Sequence, residues 1–260
     1  MSITHHRNGA RVLGAHIDAT DWAHCVDQIS AWASRRESRC VFLCNVHSII
    51  TARRDPRFGR IINSADLATP DGAPIAWRLR RLGFPGQQRI SGSELMWKCC
   101  ARATKECLPI FLYGSTRDTL SRLSTRLVRA FPELRLAGCH APPFGRSRPE
   151  DDAEAVRLIN HSGARIVFVA LGCPKQEAWM AAHRGRIDAV MIGVGAAFDF
   201  HSGVVKRAPL WMQNAGLEWL HRLLSEPRRL WRRYLVTNTL FCCYLLGDLL
   251  RGRRHEPGSG

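Results

Sequence analysis

An aspartate in a tight turn is the first residue of this sequence that could do acid–base chemistry. Asp71 stands between Pro70 and Gly72, two residue types that favour a sharp turn with the carboxylate at its apex. A carboxylate held in this way could accept a proton from an attacking hydroxyl group. It could instead cap the backbone of its own turn, which would be a purely structural role. The residues around Asp71 leave both interpretations open.

A second polar segment, residues 174–177, follows an apolar run that is typical of a buried strand. If the segment begins a helix, its backbone N–H groups and the side chain of Lys175 could bind a phosphate group. Gln176 offers both a donor and an acceptor for sugar hydroxyl groups. An ordinary helix start, with a proline at the first position and an acidic first turn, is the alternative.

A glycine pair follows another apolar run, within residues 193–199. Gly193 and Gly195 would allow a nucleotide to approach the backbone closely. A dinucleotide-binding fingerprint is incomplete, because Phe198 stands where the third glycine is required. Arg89, in a polar loop before a predicted helix, could bind an anion or simply be solvated.

Short apolar runs alternate with longer segments of helical periodicity along the chain. The predicted strands are 11–13, 41–44, 110–113, 134–137, 166–171 and 190–194, and the predicted helices include 21–34, 93–105, 116–131 and 149–160. This order predicts an α/β fold with a mostly parallel, Rossmann-like sheet and helices on both faces. Ligands of such sheets bind at the carboxyl ends of the strands, so the polar loops, including Asn45 and His47, should converge on one crevice.

The charge balance is strongly positive and is carried mainly by arginine. Lys and Arg total 38 against 22 Asp and Glu, which gives a formal net charge of +16. Guanidinium groups bind phosphates and carboxylates, so nucleic acid, anionic lipid and phosphorylated substrates are all compatible partners. The ten cysteines form no CxxC pair and no zinc spacing, so we interpret them as small apolar residues of a cytosolic protein and predict no metal site.

The composition changes near residue 209, where tryptophans become interleaved with arginines. We predict an α/β core over residues 1–208, a basic amphipathic helical C-terminal arm over 209–256 and a disordered tail over 257–260. The most apolar part of the arm, residues 234–250, is too short and too polar to span a bilayer, but it could lie on one.

Short motifs spread over most of the chain occur in an order typical of one family. They are Asn45 with residues 54–56, residues 63–66 and 70–72, Arg89 with Gly92, and residues 111–114, 171–177, 193–199, 207–209, 216–220, 222–229 and 232–234. On these motifs the chain resembles the WecG/TagA/CpsF family of bacterial glycosyltransferases.

The resemblance implies an inverting, metal-independent enzyme that needs no cofactor and lies on the inner face of the cytoplasmic membrane. It implies transfer of N-acetylmannosamine, its uronic acid or glucose from a UDP-sugar to an undecaprenyl-diphosphate-linked acceptor of surface polysaccharide synthesis. The expected partners are therefore the UDP-sugar donor, the polyprenyl-diphosphate-linked glycan acceptor and an anionic membrane surface. A homo-oligomer is possible, and nucleic acid is not expected.

The resemblance also assigns roles to individual residues. It implies that Asp71 is the catalytic base, that Asp199 contacts the nucleotide base, and that the arm closes on the diphosphate through Arg222, Arg229 and Arg232. The residues expected to bind substrate are Asn45, Arg89, Lys175, Gln176, Gly193, Gly195 and Asp199. One departure concerns specificity: Leu43 stands where the family often has threonine, so a hydroxyl contact with the donor sugar would be lost.

Two other functions are compatible with parts of the sequence. A nucleic-acid-binding protein would explain the positive charge, although the aromatic residues accompany an amphipathic arm rather than a stacking strand. A nucleotide-dependent oxidoreductase would explain the sheet, but the chain lacks a complete dinucleotide fingerprint.

Overall fold

A six-stranded parallel sheet stands at the centre of a computed structural model that describes residues 7–143, 145 and 148–250. Two short antiparallel strands precede it. The strands are β1 (Gly9–Val12), β2 (Ala15–Asp18), β3 (Arg39–Cys44), β4 (Leu67–Pro70), β5 (Ile110–Gly114), β6 (Leu136–His140), β7 (Ile166–Ala170) and β8 (Val190–Gly193). The six strands β3–β8 lie in the order β4-β3-β8-β7-β5-β6, and β1 pairs only with β2.

Helices connect the strands and follow the sheet. They are α1 (Trp22–Ser34), α2 (Val46–Arg54), α3 (Pro56–Asn63), α4 (Ala73–Arg81), α5 (Gly92–Lys105), α6 (Arg117–Ala130), α7 (Pro149–His161), α8 (Lys175–His183), α9 (Ala197–Ser202), α10 (Leu210–Asn214), α11 (Glu218–Ser225) and α12 (Pro227–Leu250). The predicted helices α1, α5, α6 and α7 begin and end within one residue of their expected bounds. Local capping explains two of these starts: Asp21 accepts a hydrogen bond from the N–H of His24, and Thr116 accepts one from Thr119.

The sheet is buried on both faces, which confirms the predicted fold class. Along β3, Phe42 and Cys44 pack in one core cluster while Val41 and Leu43 pack in the other. The first cluster also holds side chains of α2, α3, α4, α7 and α8, and the second those of α1, α5, α6 and α9. Strands covered on both faces read as continuous apolar runs, which is why most of them are visible in the sequence.

Four strands differ from the prediction, one of them β2, which was not predicted at all. Residues 11–13 were expected in the main sheet, but β1 forms a separate hairpin with β2. The run at 134–137 was placed two to three residues too early, since β6 spans Leu136–His140. Strand β4 was missed because Pro70 suggests a turn. The structure tolerates this proline because β4 is an edge strand and ends at that residue.

The C-terminal arm consists of α10, α11 and α12 and packs on the core. Helix α12 lies against α2, and its side chains Phe241 and Leu245 are buried in the core cluster that contains Phe42. The boundary predicted at 208/209 therefore stays a prediction, with part of the arm sharing the core of the sheet. The tail at 257–260 lies outside the described residues. Within the described residues, none of the helices has both the length and the apolar character needed to cross a membrane.

The burial of Phe241 predicts that the arm stabilises the α/β core. Replacing this 4% exposed side chain with alanine (Phe241→Ala) should lower the free energy of unfolding by about 3 kcal/mol. Leu235→Ala, on the same helix but 61% exposed, should change it by less than about 0.5 kcal/mol. Urea unfolding followed by circular dichroism measures both. Equal stability of the Phe241→Ala variant and the wild type would show that the arm folds apart from the core.

Candidate functional site

A cavity of about 810 Å³ lies at the carboxyl ends of four neighbouring strands and beneath the arm. Asn45 follows β3, Asp71 follows β4, Cys173 follows β7 and Val194 follows β8, and all four line the cavity. From β3 the chain continues to its neighbour β4 on one side of the sheet, whereas β8 and β7 follow on the other side of β3. This is a topological switch point, the place where open parallel sheets bind ligands.

Asp71 reaches the cavity because its backbone extends the edge strand. Its N–H group donates to the carbonyl oxygen of Cys44 at 2.9 Å, which continues the pairing of β4 with β3 by one residue. Helix α4 starts just beyond it, with Gly72 as the N-cap residue and no side-chain cap. The carboxylate of Asp71 therefore does not serve as the cap of α4, and it lines the cavity instead.

The surroundings of Asp71 favour its protonated form more than water does. Burial is the main cause, the negative charge of Glu218 adds to it, and together they raise the pKa of Asp71 to about 6. The positive charges of Arg89 and Arg222 and a hydrogen bond from Asn45 act in the opposite direction. A carboxyl group with such a pKa exchanges protons near neutral pH, as a general base must.

Asn45 holds both a helix and the carboxylate. Its Oδ1 accepts a hydrogen bond from the N–H of Ser48 at 3.2 Å, and the hydroxyl of Ser48 accepts one from the N–H of Asn45 at 2.8 Å. This capping box fixes the start of α2. With Oδ1 occupied in this way, the side-chain amide of Asn45 is the group that donates to Asp71.

An ion pair joins the core to the arm at the rim of the cavity. Arg89 Nη1 lies 2.6 Å from Glu218 Oε2, and Arg207 Nε lies 3.6 Å from Glu218 Oε1. Glu218 is the first residue of α11, so its carboxylate holds the arm over the carboxyl ends of the strands. Arg89 is therefore engaged by protein rather than simply solvated.

Two arginines of the arm line the cavity. The guanidinium of Arg222 lies 5.8 Å from the centre of the Phe200 ring, and its Nε has no hydrogen-bond partner among the described residues. Burial lowers the pKa of His47 to about 4, and the positive charge of Arg233 on α12 adds to this effect. His47 also lines the cavity and is therefore neutral at physiological pH.

Gln176 and two glycines, Gly193 and Gly195, form part of the cavity wall. The side-chain amide of Gln176 donates to Glu177 Oε1 at 2.9 Å and to the carbonyl oxygen of Gly193 at 3.2 Å. A Cβ atom on Gly193 would lie 2.6 Å from Met180 Cε and 3.0 Å from Gln176 Nε2. The first glycine thus makes room for protein side chains, whereas we predicted room for a nucleotide. Gly195, with φ +53°, lines the cavity.

Three predicted site residues are described and do not line the cavity, and the side chain of a fourth is not described. Lys175 is exposed at the first position of α8, and Arg232 is exposed on α12. Asp199 is half-buried in α9, and within the described part of the chain none of these three lines the cavity. Arg229 belongs to α12, and its side chain lies outside the described residues. The geometry thus gives no support to a phosphate contact by Lys175 or Arg232.

A stripe along α12 was missed in the sequence. Its members line the cavity and recur at spacings of three and four residues: Arg233, Tyr234, Thr237, Asn238, Phe241, Cys242, Leu245 and Leu246. This is the periodicity of one helix face, so the signal was present. Glu218, Trp77 and Trp219 also line the cavity, and their positions follow only from tertiary packing.

The ten cysteines are all free thiols in the structure. Half of them are buried, namely Cys25, Cys40, Cys44, Cys99 and Cys100. Cys173 is half-buried and packs against the first core cluster, so the interpretation as apolar packing residues holds for these six and fails for the four exposed cysteines, such as Cys107 and Cys242. In the described ranges, no group of three or more His, Cys, Asp or Glu residues is placed to hold a metal ion.

Comparison with known proteins agrees with the resemblance that the motifs indicated. Residues 10–255 match the model of the glycosyl transferase WecG/TagA/CpsF family. The chain is also 35% identical over 209 residues to the N-acetylglucosaminyldiphosphoundecaprenol N-acetyl-beta-D-mannosaminyltransferase of Bacillus spizizenii. That alignment covers 80% of this chain and 79% of the relative. The match extends through the sheet and the arm, and the chain belongs to the WecG/TagA/CpsF family of glycosyltransferases.

Proposed function

We propose that this protein transfers an N-acetylmannosaminyl group from a UDP-sugar to an acceptor sugar linked to undecaprenyl diphosphate. The observation that carries the proposal is Asp71, a carboxyl group with a raised pKa that faces a cavity beneath an arginine-bearing arm. The name of the Bacillus relative supports this donor sugar and this acceptor. N-acetylmannosaminuronic acid and glucose are the alternative donor sugars that the family resemblance implies. Assays with each UDP-sugar in turn distinguish the three.

The chemistry is a single displacement with inversion at the anomeric carbon. Asp71 accepts the proton of the acceptor hydroxyl as that oxygen attacks the anomeric carbon, and the bond to the UDP oxygen breaks on the opposite face. Asn45 orients the carboxylate through its hydrogen bond. The pKa of about 6 makes Asp71 a stronger base than an exposed aspartate, yet it remains mostly ionised at pH 7.

The departing UDP carries the developing negative charge, and guanidinium groups are the cations available to it. Arg222 and Arg233 line the cavity and are placed to stabilise that charge. Arg89 also lines the cavity, but its positive charge is partly neutralised by Glu218. We propose on this basis that turnover needs no metal ion, because arginine takes the place of a divalent cation.

The outer surface of the arm suits the membrane where a polyprenyl acceptor is found. Its exposed apolar side chains are Leu210, Trp211, Leu224, Trp231, Leu235 and Val236. Arg228 and Arg232 are exposed beside them. Tryptophan with arginine is typical of interfacial helices, and each cation near an anionic surface adds about 1 kcal/mol. We propose that the arm holds the protein on the inner face of the cytoplasmic membrane.

The family match and the carboxylate in the cavity favour glycosyl transfer over the two alternative functions. A nucleic-acid-binding role would not explain a buried carboxyl group with a raised pKa at Asp71. An oxidoreductase would require a nucleotide beside Gly193, where Gln176 and Met180 fill the space that a Cβ would take.

Replacing Asp71 with asparagine tests the proposed base directly. Asp71→Asn keeps the shape of the side chain but cannot accept the proton, so turnover should fall by roughly 10²–10⁴-fold while UDP binding persists. UDP release from UDP-N-acetylmannosamine, with an undecaprenyl-diphosphate-linked acceptor, measures turnover, and calorimetry measures UDP binding. The exposed Asp188→Asn serves as the matched control and should match the wild type.

The pH profile of the same enzyme identifies the titrating group. Only ionised Asp71 can act as base, so kcat/KM should fall as the pH drops below about 6. The residual rate of Asp71→Asn should lack this acidic limb. Wild-type turnover in the asparagine variant, or an unchanged limb, would remove Asp71 from the mechanism.

A pair of arginines on the arm separates catalysis from membrane binding. Arg222→Ala should lower kcat on a water-soluble acceptor by about 10–100-fold, because it removes charge-assisted hydrogen bonds to the leaving diphosphate. Arg232→Ala should keep that rate and weaken sedimentation with vesicles containing anionic lipid. The reverse pattern would exchange the two roles.

Chelation tests the role assigned to the guanidinium groups. Turnover in excess EDTA should equal turnover without EDTA, because the proposed mechanism assigns no step to a divalent cation. Loss of activity that magnesium or manganese restores would contradict the arginine-based stabilisation of UDP.

A further inference from the structure

The carboxamide of Gln176 is held in one orientation by two acceptors. Gln176 is 5% exposed, and its Nε2 donates to Glu177 Oε1 and to the carbonyl oxygen of Gly193. These two hydrogen bonds use both N–H groups of the amide. Turning the amide over would place its oxygen against two other oxygens, so the network itself selects the orientation.

The oxygen of this carboxamide is the group left for a ligand. Gln176 Oε1 is buried and has no hydrogen-bond partner among the described residues. Gln176 lines the cavity beside Gly195, where a Cβ atom would lie 3.5 Å from Oε1. Because Gly195 has no side chain, no Cβ atom of that residue packs against the oxygen. A buried acceptor in a cavity wall is costly until a donor reaches it.

Glu177 lies behind this wall and is not part of it. Its side chain is 1% exposed, and it accepts hydrogen bonds from Gln176 and from the thiol of Cys173. Burial raises the pKa of Glu177, so a carboxylate at this position has an energetic cost. The proposed reaction assigns no step to Glu177. Its contact with Gln176 indicates a role in orienting that side chain.

We infer that Glu177 is a positioning residue that turns Gln176 Oε1 towards the substrate, so that Gln176 binds a substrate hydroxyl or N–H group as an acceptor only. The inference rests on the proposed function, since the substrate is the one assigned to this cavity. It also states a specificity: a substrate group that can only accept hydrogen bonds, such as a carbonyl or ether oxygen, is rejected at this point of the wall.

The orientation can be tested without any substrate. In protein labelled with ¹⁵N at glutamine side chains, the Gln176 amide is assigned by its loss in Gln176→Met. Its N–H protons should exchange slowly with water in the wild type and in Glu177→Gln, which retains an acceptor. They should exchange at least tenfold faster in Glu177→Leu. Equal protection in the leucine variant would overturn the positioning role.

Kinetics test what Gln176 recognises. Donor and acceptor analogues lacking one hydroxyl or N–H group at a time should include one that lowers wild-type kcat/KM by about 10–100-fold. With the parent substrates, Glu177→Leu should lower kcat/KM by a similar factor. With that analogue, the kcat/KM of Glu177→Leu should be almost the same as that of the wild type. Glu177→Gln should remain within about threefold of the wild type. An equal loss by Glu177→Leu on every substrate, including that analogue, would mean a merely structural role.

Misfolding of a variant and failure of the proposed function can each be distinguished from failure of the positioning role. Should Glu177→Leu fail to fold, Gln176→Met carries the same analogue comparison, because it removes Oε1 while keeping the length of the side chain. If the wild type transfers sugar from no UDP-sugar, the proposed function fails. The amide exchange then still decides whether Glu177 orients Gln176.

Discussion

The parallel pairing of β3 with β8 brings the two halves of the chain to one place. Phe42 of β3 lies opposite Gly193 of β8, and Cys44 lies opposite Pro70 of β4. Because of this register, Asn45, Asp71 and the carbonyl oxygen of Gly193 reach the same edge of the sheet. A shift of one residue in either pairing would move the core side chains to the opposite face and separate the carboxylate from the amide wall.

The arm completes the site by electrostatic as well as apolar contacts. Phe241 and Leu245 attach α12 to the core, and Glu218 attaches α11 to Arg89. The same carboxylate raises the pKa of Asp71, whereas Arg89 and Arg222 lower it. Burial is the largest cause of the raised pKa of Asp71, and Glu218 and Arg222 of the arm modify it. The attachment of the arm to the core and the pKa of Asp71 therefore depend on the same few side chains.

Much of the fold and part of the site could be predicted from the sequence. Asn45, Asp71 and Gln176 were found because parallel strands end at one edge and these residues follow strands. The direction of side chains on helices could not be predicted in the same way, because one residue along a helix turns the side chain by about 100°. Lys175 precedes the buried Gln176 and points outwards, and Arg232 precedes Arg233 of the cavity wall and is exposed. Motif membership carries no information on this rotation, and tertiary packing decides it.

The protonation of Asp71, the proposed base, is linked to the folding equilibrium of this protein. The pKa is about 6 in the folded state and 3.8 for an ordinary aspartate, so the folded chain holds this proton more tightly than the unfolded chain does. The contribution of the protonated group to stability is fully present below pH 4 and is lost as the pH rises through 6. At the pH where this proposed base is ionised, its charge thus opposes folding. Selection for thermal stability alone would favour loss of this carboxylate, so a stabilised variant of this family needs an activity screen beside the melting curve.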